Sequence, residues 1–526
     1  MNILAGIKLP KSADASDVYI RCNESASINY QEDDKKVVLS QGGVVSSNSY
    51  FNSFYERFYT QYTTLSSIYY VLKLEGDFKV SVYREFDGQK NKEIISEEIF
   101  EKCHFSNPVK ISPINLLQGK KAGRIYFEIT CSSEQGEFKG AWIATDQSKT
   151  REASLGIVIC TFKKEDFIQN TLSAIFQDEL LETKDFKVFV VDNGRTLDEA
   201  DFGKPKLRLV PNINAGGSGG FTRGLVEALE EEKYSHFLLM DDDIELESEC
   251  IYKLFPLYEY ANSDFAVAGG LLNLQKKHML YEAGASYNAY SKTRGFGPGA
   301  LIALNYNIDL RDSNSLNRLL KEEDIDYGGF WFFSFSKELV EQTKLPLPLF
   351  IKIDDVEFGL RIKELGNNIV AFPSLAVWHQ PAAAKNVNWE NYYYIRNDLI
   401  AYSIHYSPEY MAAVEHLTKV ILQALAKFDY NHVEMVVKAF EDYLKGPDFI
   451  KNTDPESFHM SIVKLSKSYN NQNEVDKVAG TNLLTRWFKV AAEGSNEWSS
   501  VREKWKSAAQ EITSTIFWQQ YLGLKK

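Results

Sequence analysis

The sequence predicts an α/β protein, with a central domain of alternating strands and helices, a β-sandwich before it and a helical region after it. Three observations carry this reading. Residues 1–150 hold short aromatic and β-branched runs between turn signals, residues 151–385 alternate apolar runs with helical spacing, and residues 386–526 keep only helical spacing. A chain of 526 residues accommodates three or four domains.

In the first region the runs are Ser67–Leu74, Phe78–Arg84 and Arg124–Thr130, broken by Glu75-Gly76-Asp77 and Asp87-Gly88. Such spacing suggests a sandwich or barrel. The pattern changes at residue 154. Leu155–Cys160, Lys187–Val191 and His236–Met240 are continuous apolar runs of strand length, and Asp166–Gln177 has helical spacing. This alternation predicts a mainly parallel sheet covered by helices on both faces. In the tail, Asn388–His405, Glu409–Phe428, His432–Leu444 and Asn496–Gly523 repeat apolar residues every three to four positions.

Composition narrows the function classes. The 59 lysines and arginines face 72 acids, a net charge of −13, which argues against a nucleic-acid binder working by phosphate neutralisation. No apolar run approaches bilayer-spanning length, and Met1–Ser12 lacks the basic and apolar regions of a signal peptide. Cys22, Cys103, Cys131, Cys160 and Cys250 are scattered without a CxxC pair, which predicts buried thiols in a reducing, cytoplasmic setting. The 13% aromatic content suits sugar-stacking surfaces and equally a β-rich core.

The strongest local feature is the strand His236–Met240 running into Asp241-Asp242-Asp243. Carboxylates at the end of a buried strand sit where open α/β sheets bind ligands, and two of them one residue apart suit Mg²⁺ or Mn²⁺. A solvated acidic turn fits the tripeptide equally well. Upstream, Asn214 through Gly224 holds five glycines in nine residues, with Gly217 and Arg223 among them. Glycines let a backbone approach a ligand, the following helix offers N–H groups to an anion, and Arg223 suits a diphosphate. The plain alternative is a flexible surface loop. Asp192, ending the second strand, suits either a uracil imide or a turn. Asp354 and Glu357 fit a capping box, which leaves Asp355 the better candidate for proton abstraction. Tyr327-Gly-Gly-Phe330-Trp331 suits a sugar platform or a core strand. His379, in Val377-Trp-His-Gln-Pro381, reads on its own as a core histidine. Arg396 reads as a phosphate or acceptor contact or as a helix-surface arginine.

The order of these signals is more distinctive than any one of them. The series Thr161-Phe-Lys-Lys164, Val191-Asp192, the glycine segment, Asp241-Asp-Asp243, Gly328-Gly-Phe330-Trp331, Asp354-Asp355 and Trp378-His379 resembles the inverting family 2 glycosyltransferases of GT-A fold. Within them it resembles the polymerising galactofuranosyltransferases of mycobacterial galactan synthesis. The resemblance implies a GT-A catalytic domain behind an N-terminal β-sandwich. It also implies donor contacts from Thr161, Lys164, Asp192, Asn214, Gly217, Arg223 and Asp242, with Lys164 where the family has arginine. Asp241, Asp243 and His379 would hold Mn²⁺ or Mg²⁺, and Asp355 would be the general base. Phe330, Trp331, Asp354 and Arg396 would face the acceptor, with Phe330 where the family has a second tryptophan.

The expected function is inverting transfer of galactofuranose from UDP-galactofuranose to a glycan hydroxyl. The rivals are a dTDP-rhamnose-dependent rhamnosyltransferase and a catalytically silent glycan-binding protein. Expected partners are the nucleotide sugar and a glycan or lipid-linked glycan acceptor, without nucleic acid and with self-association open. In the tail, Trp498, Val501, Trp505, Ala508, Ile512 and Ile516 share a helical face that reads as a packed helix. A peripheral contact with the cytoplasmic face of the plasma membrane is the functional alternative. Tyr50 and Phe54 are expected to be exposed on the sandwich for glycan handling.

Overall fold

The computed structural model describes residues 1–31, 34–88, 92–288, 300–380, 387–406, 409–469 and 477–524. Pro381 and the expected boundary at 385/386 lie outside these residues. The N-terminal unit is built on β1 (Asn2–Ile7), β2 (Ser67–Glu85), β3 (Glu93–Cys103), β4 (Arg124–Cys131) and β5 (Gln135–Thr145). The turn expected at Glu75-Gly76-Asp77 does not form. Instead β2 runs through it as one strand of 19 residues. Gly76 has φ +110° and the ladder to β3 slips there, a bulge that bends the strand. Bending lets the first half of β2 pair with β5 and the second half with β3 and β4. The sheet thus folds over, and the rings of Tyr70, Phe127 and Phe138 meet inside.

Tyr50 and Phe54 are not exposed. Each is 1% accessible, because residues 50–62 form an aromatic wedge between the N-terminal unit and the central sheet. Phe51 packs tilted against Trp378 with ring centroids 5.3 Å apart, and Tyr59 meets Phe372 edge-on at 5.1 Å.

The central sheet contains β6 (Leu155–Thr161), β7 (Phe186–Asp192), β8 (Leu207–Pro211), β9 (His236–Asp241), β10 (Phe265–Asn273), β11 (Phe333–Ser336) and β12 (Asn368–His379). Strands β8, β7, β6 and β9 are parallel neighbours in that order. The expectation of a mainly parallel sheet stops there, since β11 enters antiparallel between β9 and β10. Its helices include α1 (Glu165–Phe176), α2 (Gly216–Glu230), α3 (Glu249–Glu259) and α4 (Asp354–Glu364).

The tail forms α5 (Glu390–His405), α6 (Tyr410–Ala426), α7 (Tyr430–Leu444), α8 (Lys477–Ile512) and α9 (Thr515–Tyr521). The single helix expected over Asn496–Gly523 is split, because Ser514 caps α9 through the N–H of Phe517. Trp498, Val501, Trp505, Ala508 and Ile512 are buried in the helical core, so the packed-helix reading holds for them; Ile516 is 70% exposed. That face is therefore not available to a membrane. No helix among the described residues is long and apolar enough to cross one. All five cysteines are free, and Cys22 departs from the expected burial by being exposed.

The capping box expected at Asp354 and Glu357 is absent. The cap position is Ile353, with φ +67° and no side-chain bond. Glu357 turns instead to Arg361, at 2.8 Å, and to His405 on α5, at 3.2 Å. His405 also meets Glu364 at 2.8 Å, and these carboxylates raise its pKa to about 9 against the opposing effect of burial. A raised histidine stabilises the fold fully below its unfolded pKa of ~6.5, and the contribution disappears as pH rises through the folded value. The melting temperature of the native chain should therefore exceed that of His405→Gln at pH 6. The gap should close as pH approaches about 9; a gap independent of pH would exclude the ion pair as its source.

Candidate active site

Register within the parallel sheet sets the first wall of the site. Thr161 lies beside Asp192, and Cys160 beside Asp241, so three strands end together at one edge. A short strand after β9 then pairs antiparallel with β12, Glu245 opposite Trp378, and this draws Asp243 to His379. His379 Nε2 is 2.9 Å from Asp243 Oδ1, and Asp241, Asp243 and His379 each present a ligand atom within 4.8 Å of the others. His379 Nδ1 is buried without a hydrogen-bond partner in the described residues. Two hard oxygens and an imidazole fit a divalent cation such as Mn²⁺ or Mg²⁺. Lys164 Nζ stands 4.0 Å from Asp243, and Asp242 accepts the N–H of Phe162 at 3.3 Å. Burial holds the Asp242 carboxyl above its ordinary range.

The second wall is residues 347–353, which lead into α4. Phe350, Lys352 and Ile353 have φ of +75°, +66° and +67°, a conformation that bulky residues adopt only when the surroundings hold them. The holding groups come from two directions. The Asn397 amide on α5 donates to the carbonyls of Leu349, Ile351 and Lys352 at 2.8–3.0 Å, and Arg396 donates to Leu349 at 2.9 Å. From the opposite side, Ser218 N donates to the Phe350 carbonyl at 3.0 Å and its hydroxyl donates to Leu347. Gly216 permits this approach: its φ is +70°, and a Cβ there would lie 2.1 Å from the Phe350 oxygen.

Between the walls lies a cavity of about 580 Å³. Asp241 and His379 line one side, Asp354 and Asp355 another, and Phe330, Trp331, Tyr281, Tyr327 and Tyr394 supply aromatic surface. Trp331 is fixed by its Nε1 bond to the Gly269 carbonyl at 3.0 Å. Phe330 is more buried and packs on Phe221 and Phe358. Burial raises both Asp354 and Asp355, Asp354 further because Asp355 is beside it. Asp355 Oδ1 accepts the N–H of Val356 at 2.8 Å.

Glu282 was missed by sequence reasoning. It lines the same cavity, and burial together with the Asp355 charge pushes it up to about 7. Nothing around it in the sequence marks it; only the fold sets it opposite a residue 73 positions away.

Other expected contacts are placed differently. Arg396 is buried, with its guanidinium on Asn397, Tyr392 and Leu349, and it is not among the residues lining the cavity. Arg223 pairs with Glu227 on its own helix at 2.5 Å and is also outside the cavity lining. Asp192 is 1% exposed and its oxygens accept the N–H groups of Gly194, Thr196 and Leu197. Asn214 accepts the N–H of Gly216 at 3.2 Å. The glycine segment is helix rather than loop, and only Gly217 of its glycines lines the cavity, with Asp354 Oδ2 about 4.0 Å from where its Cβ would be.

Comparison with known proteins agrees with this layout. The family model for glycosyltransferase-like family 2 matches residues 153–393, and that for the galactofuranosyltransferase 2 N-terminal region matches residues 4–145. The galactofuranosyltransferase GlfT2 of Mycobacterium tuberculosis is 28% identical over 89% of this chain and 76% of its own length. Its namesake from Mycolicibacterium smegmatis is 27% identical over 85% of this chain and 72% of its own. Among solved structures, a mannosyltransferase from Pyrobaculum calidifontis with GDP-Man and Mn²⁺ covers 70% of this chain and 90% of its own at 13% identity. Its TM-score is 0.30. Residues 153–393 thus match the glycosyltransferase-like family 2 model behind a galactofuranosyltransferase 2 N-terminal region, and the chain resembles the mycobacterial galactofuranosyltransferases along most of its length.

Proposed function

We propose that the chain is an inverting galactofuranosyltransferase that moves galactofuranose from UDP-galactofuranose to a hydroxyl of a growing glycan. The observation that carries this reading is the single cavity bordered by the Asp241/Asp243/His379 cluster and by Asp355, with aromatic rings between. Donor leaving group and acceptor nucleophile need opposite sides of one pocket when the anomeric centre inverts. Asp241, Asp243 and His379 would hold the cation, which supplies Lewis-acid neutralisation of the departing diphosphate. Asp355 takes the proton from the acceptor hydroxyl as that oxygen attacks the face opposite UDP. Trp331, Tyr327 and Tyr394 hold the acceptor sugar, and Glu282 accepts a hydrogen bond from one of its hydroxyls. Lys164, Thr161, Asp242, Asn214 and Gly217 border the donor, while Asp192 shapes the loop beside the base. The relatives, galactofuranosyltransferases by name, support galactofuranose over rhamnose as the donor sugar. A panel of UDP-galactofuranose, UDP-galactopyranose and dTDP-rhamnose tests it; turnover with dTDP-rhamnose alone would transfer the chain to the rhamnosyltransferase reading.

Asp355→Asn should lower transfer roughly 10²–10⁴-fold and leave UDP affinity intact, the weight of a positioned base. Because burial raises the Asp355 carboxyl, the acid limb of the rate profile should lie above the ordinary carboxylate value of ~4, and rate should fall as pH drops through it. Chelation should abolish transfer and Mn²⁺ should restore it. Asp243→Ala should weaken UDP binding with metal far more than without, as read by calorimetry. Asn397→Ala leaves the Ile351 and Lys352 carbonyls without their donor and Leu349 with Arg396 alone, at a cost of about 1–3 kcal/mol. Its melting temperature should fall and transfer should drop by up to roughly 10²-fold through misplacement of Asp355, with UDP affinity retained; unchanged transfer would detach the clamp from the chemistry.

A further inference from the structure

The cavity has a mouth that the transfer chemistry leaves unused. Of its lining residues, Tyr306 and Leu301 are 56% and 40% exposed and stand at the opening, whereas Tyr327, Phe330 and Asp354 are buried within it. Tyr281 is half-buried, and its ring lies edge-on to that of Tyr306 with centroids 5.1 Å apart.

Two backbone irregularities put these rings there. Neighbours in a regular strand point to opposite faces, yet Tyr281 and Glu282 both line the cavity. The strand Met279–Glu282 pairs antiparallel with β10, Leu272 opposite Leu280 and Leu271 opposite Glu282. Tyr281 is therefore the extra residue of a bulge, which re-aims its side chain. On its other edge the strand pairs with Ile308–Asp309, and the Asn307 N–H donates to the Tyr281 carbonyl at 3.0 Å. Leu304 is laced to the same segment by backbone bonds with Ala283 and Gly284. Between these anchors Asn305 and Asn307 take φ of +47° and +54°, a backbone that asparagine tolerates better than most residues. The tight turn projects Tyr306 outward. A lone exposed tyrosine is ordinary. One anchored on both flanks, at a cavity mouth and against a second ring, has little freedom left to lose when a ligand binds.

The ledge belongs to the acceptor end of the cavity, since Glu282, the chain neighbour of Tyr281, is under the influence of the Asp355 charge. A tyrosine ring offers an apolar face and a wet hydroxyl tip, which suits the C–H face and hydroxyl edge of a sugar. We propose that Tyr306, with Tyr281 and Leu301, forms an outer acceptor subsite. It holds the sugar unit behind the one whose hydroxyl meets Asp355, so that a glycan of two or more units is bound in preference to a single sugar. The inference rests on the glycan-extending transfer proposed above and adds the residues that read acceptor length.

Calorimetry on the full chain with excess UDP and Mn²⁺ tests it, using methyl β-galactofuranosides of one, two and three units and the octyl glycoside of one unit. The native chain should bind the two-unit glycoside more tightly than the one-unit glycoside. Tyr306→Ala should weaken binding of the two- and three-unit glycosides roughly tenfold, about 1.4 kcal/mol, and leave the one-unit glycoside and UDP unchanged. Tyr306→Phe, which keeps the ring, should bind as the native chain does. Transfer should show the same split, a raised KM for the longer acceptors with kcat retained, because the ledge lies away from the reacting atoms. Equal native affinity for one and two units, an equal loss for every length in Tyr306→Ala, or no loss at all would each overturn the proposal. A Tyr306-dependent gain from the octyl chain without a gain from the second sugar would assign the ledge to a lipid and overturn it as well. Absence of transfer with every nucleotide sugar of the donor panel would count against the proposed transfer alone, because the binding comparison needs no turnover.

Discussion

The structure depends on one strained segment held from both sides. Residues 350–353 contain three non-glycine residues with left-handed φ, which cost of the order of 1–3 kcal/mol each when unsupported. Their carbonyls would also be unsatisfied acceptors inside the protein. Asn397 and Arg396 from the helical tail satisfy one set, and Ser218 at the start of the glycine helix satisfies another. The segment ends in Asp354 and Asp355. The acids of the cavity are thus positioned by a helix more than 40 residues downstream and a glycine turn more than 130 residues upstream.

This explains why the tail belongs to the catalytic unit. Its helices bury their tryptophans among themselves, and α9 returns to the central domain, where Trp518 Nε1 donates to the Pro346 carbonyl at 2.9 Å. The helix-pair contact of His405 with Glu357 and Glu364 fixes α5 on α4 at the far end. Clamp, Asp355 and cavity wall form one mechanical connection.

The N-terminal unit is joined as firmly, by buried polar groups as well as aromatic rings. Arg124 is fully buried and reaches Asn48, Ser53, Glu85 and, in the central domain, Asn317. Lys253 on α3 donates to the Phe51 carbonyl at 2.7 Å. Buried charges without partners are expensive, so these contacts specify one way of docking the two units. The aromatic wedge of residues 50–62, which by composition alone suits a sugar-binding surface, is consumed in that docking.

By itself the sequence determined what periodicity and residue chemistry can encode. Apolar runs marked the parallel strands of β6, β7 and β9 to within a residue or two, and the tripeptide after His236–Met240 marked the acids that end at the sheet edge. Helical spacing separated the tail from the rest. Local signals failed where a residue's role depends on what approaches it. Asp354 and Glu357 have capping-box spacing, yet Ile353 adopts a left-handed cap and Glu357 is drawn to His405. Arg396 has the chemistry of a phosphate ligand, yet the carbonyl of Leu349 reaches it first. The glycine segment looks like a loop, because sequence does not show that Cys160, Val158 and Phe350 press against it and leave no room for side chains. Glu282 and the turn lost within β2 were decided by bulges and long-range packing. Those depend on distances between segments far apart in the chain, which no local pattern records.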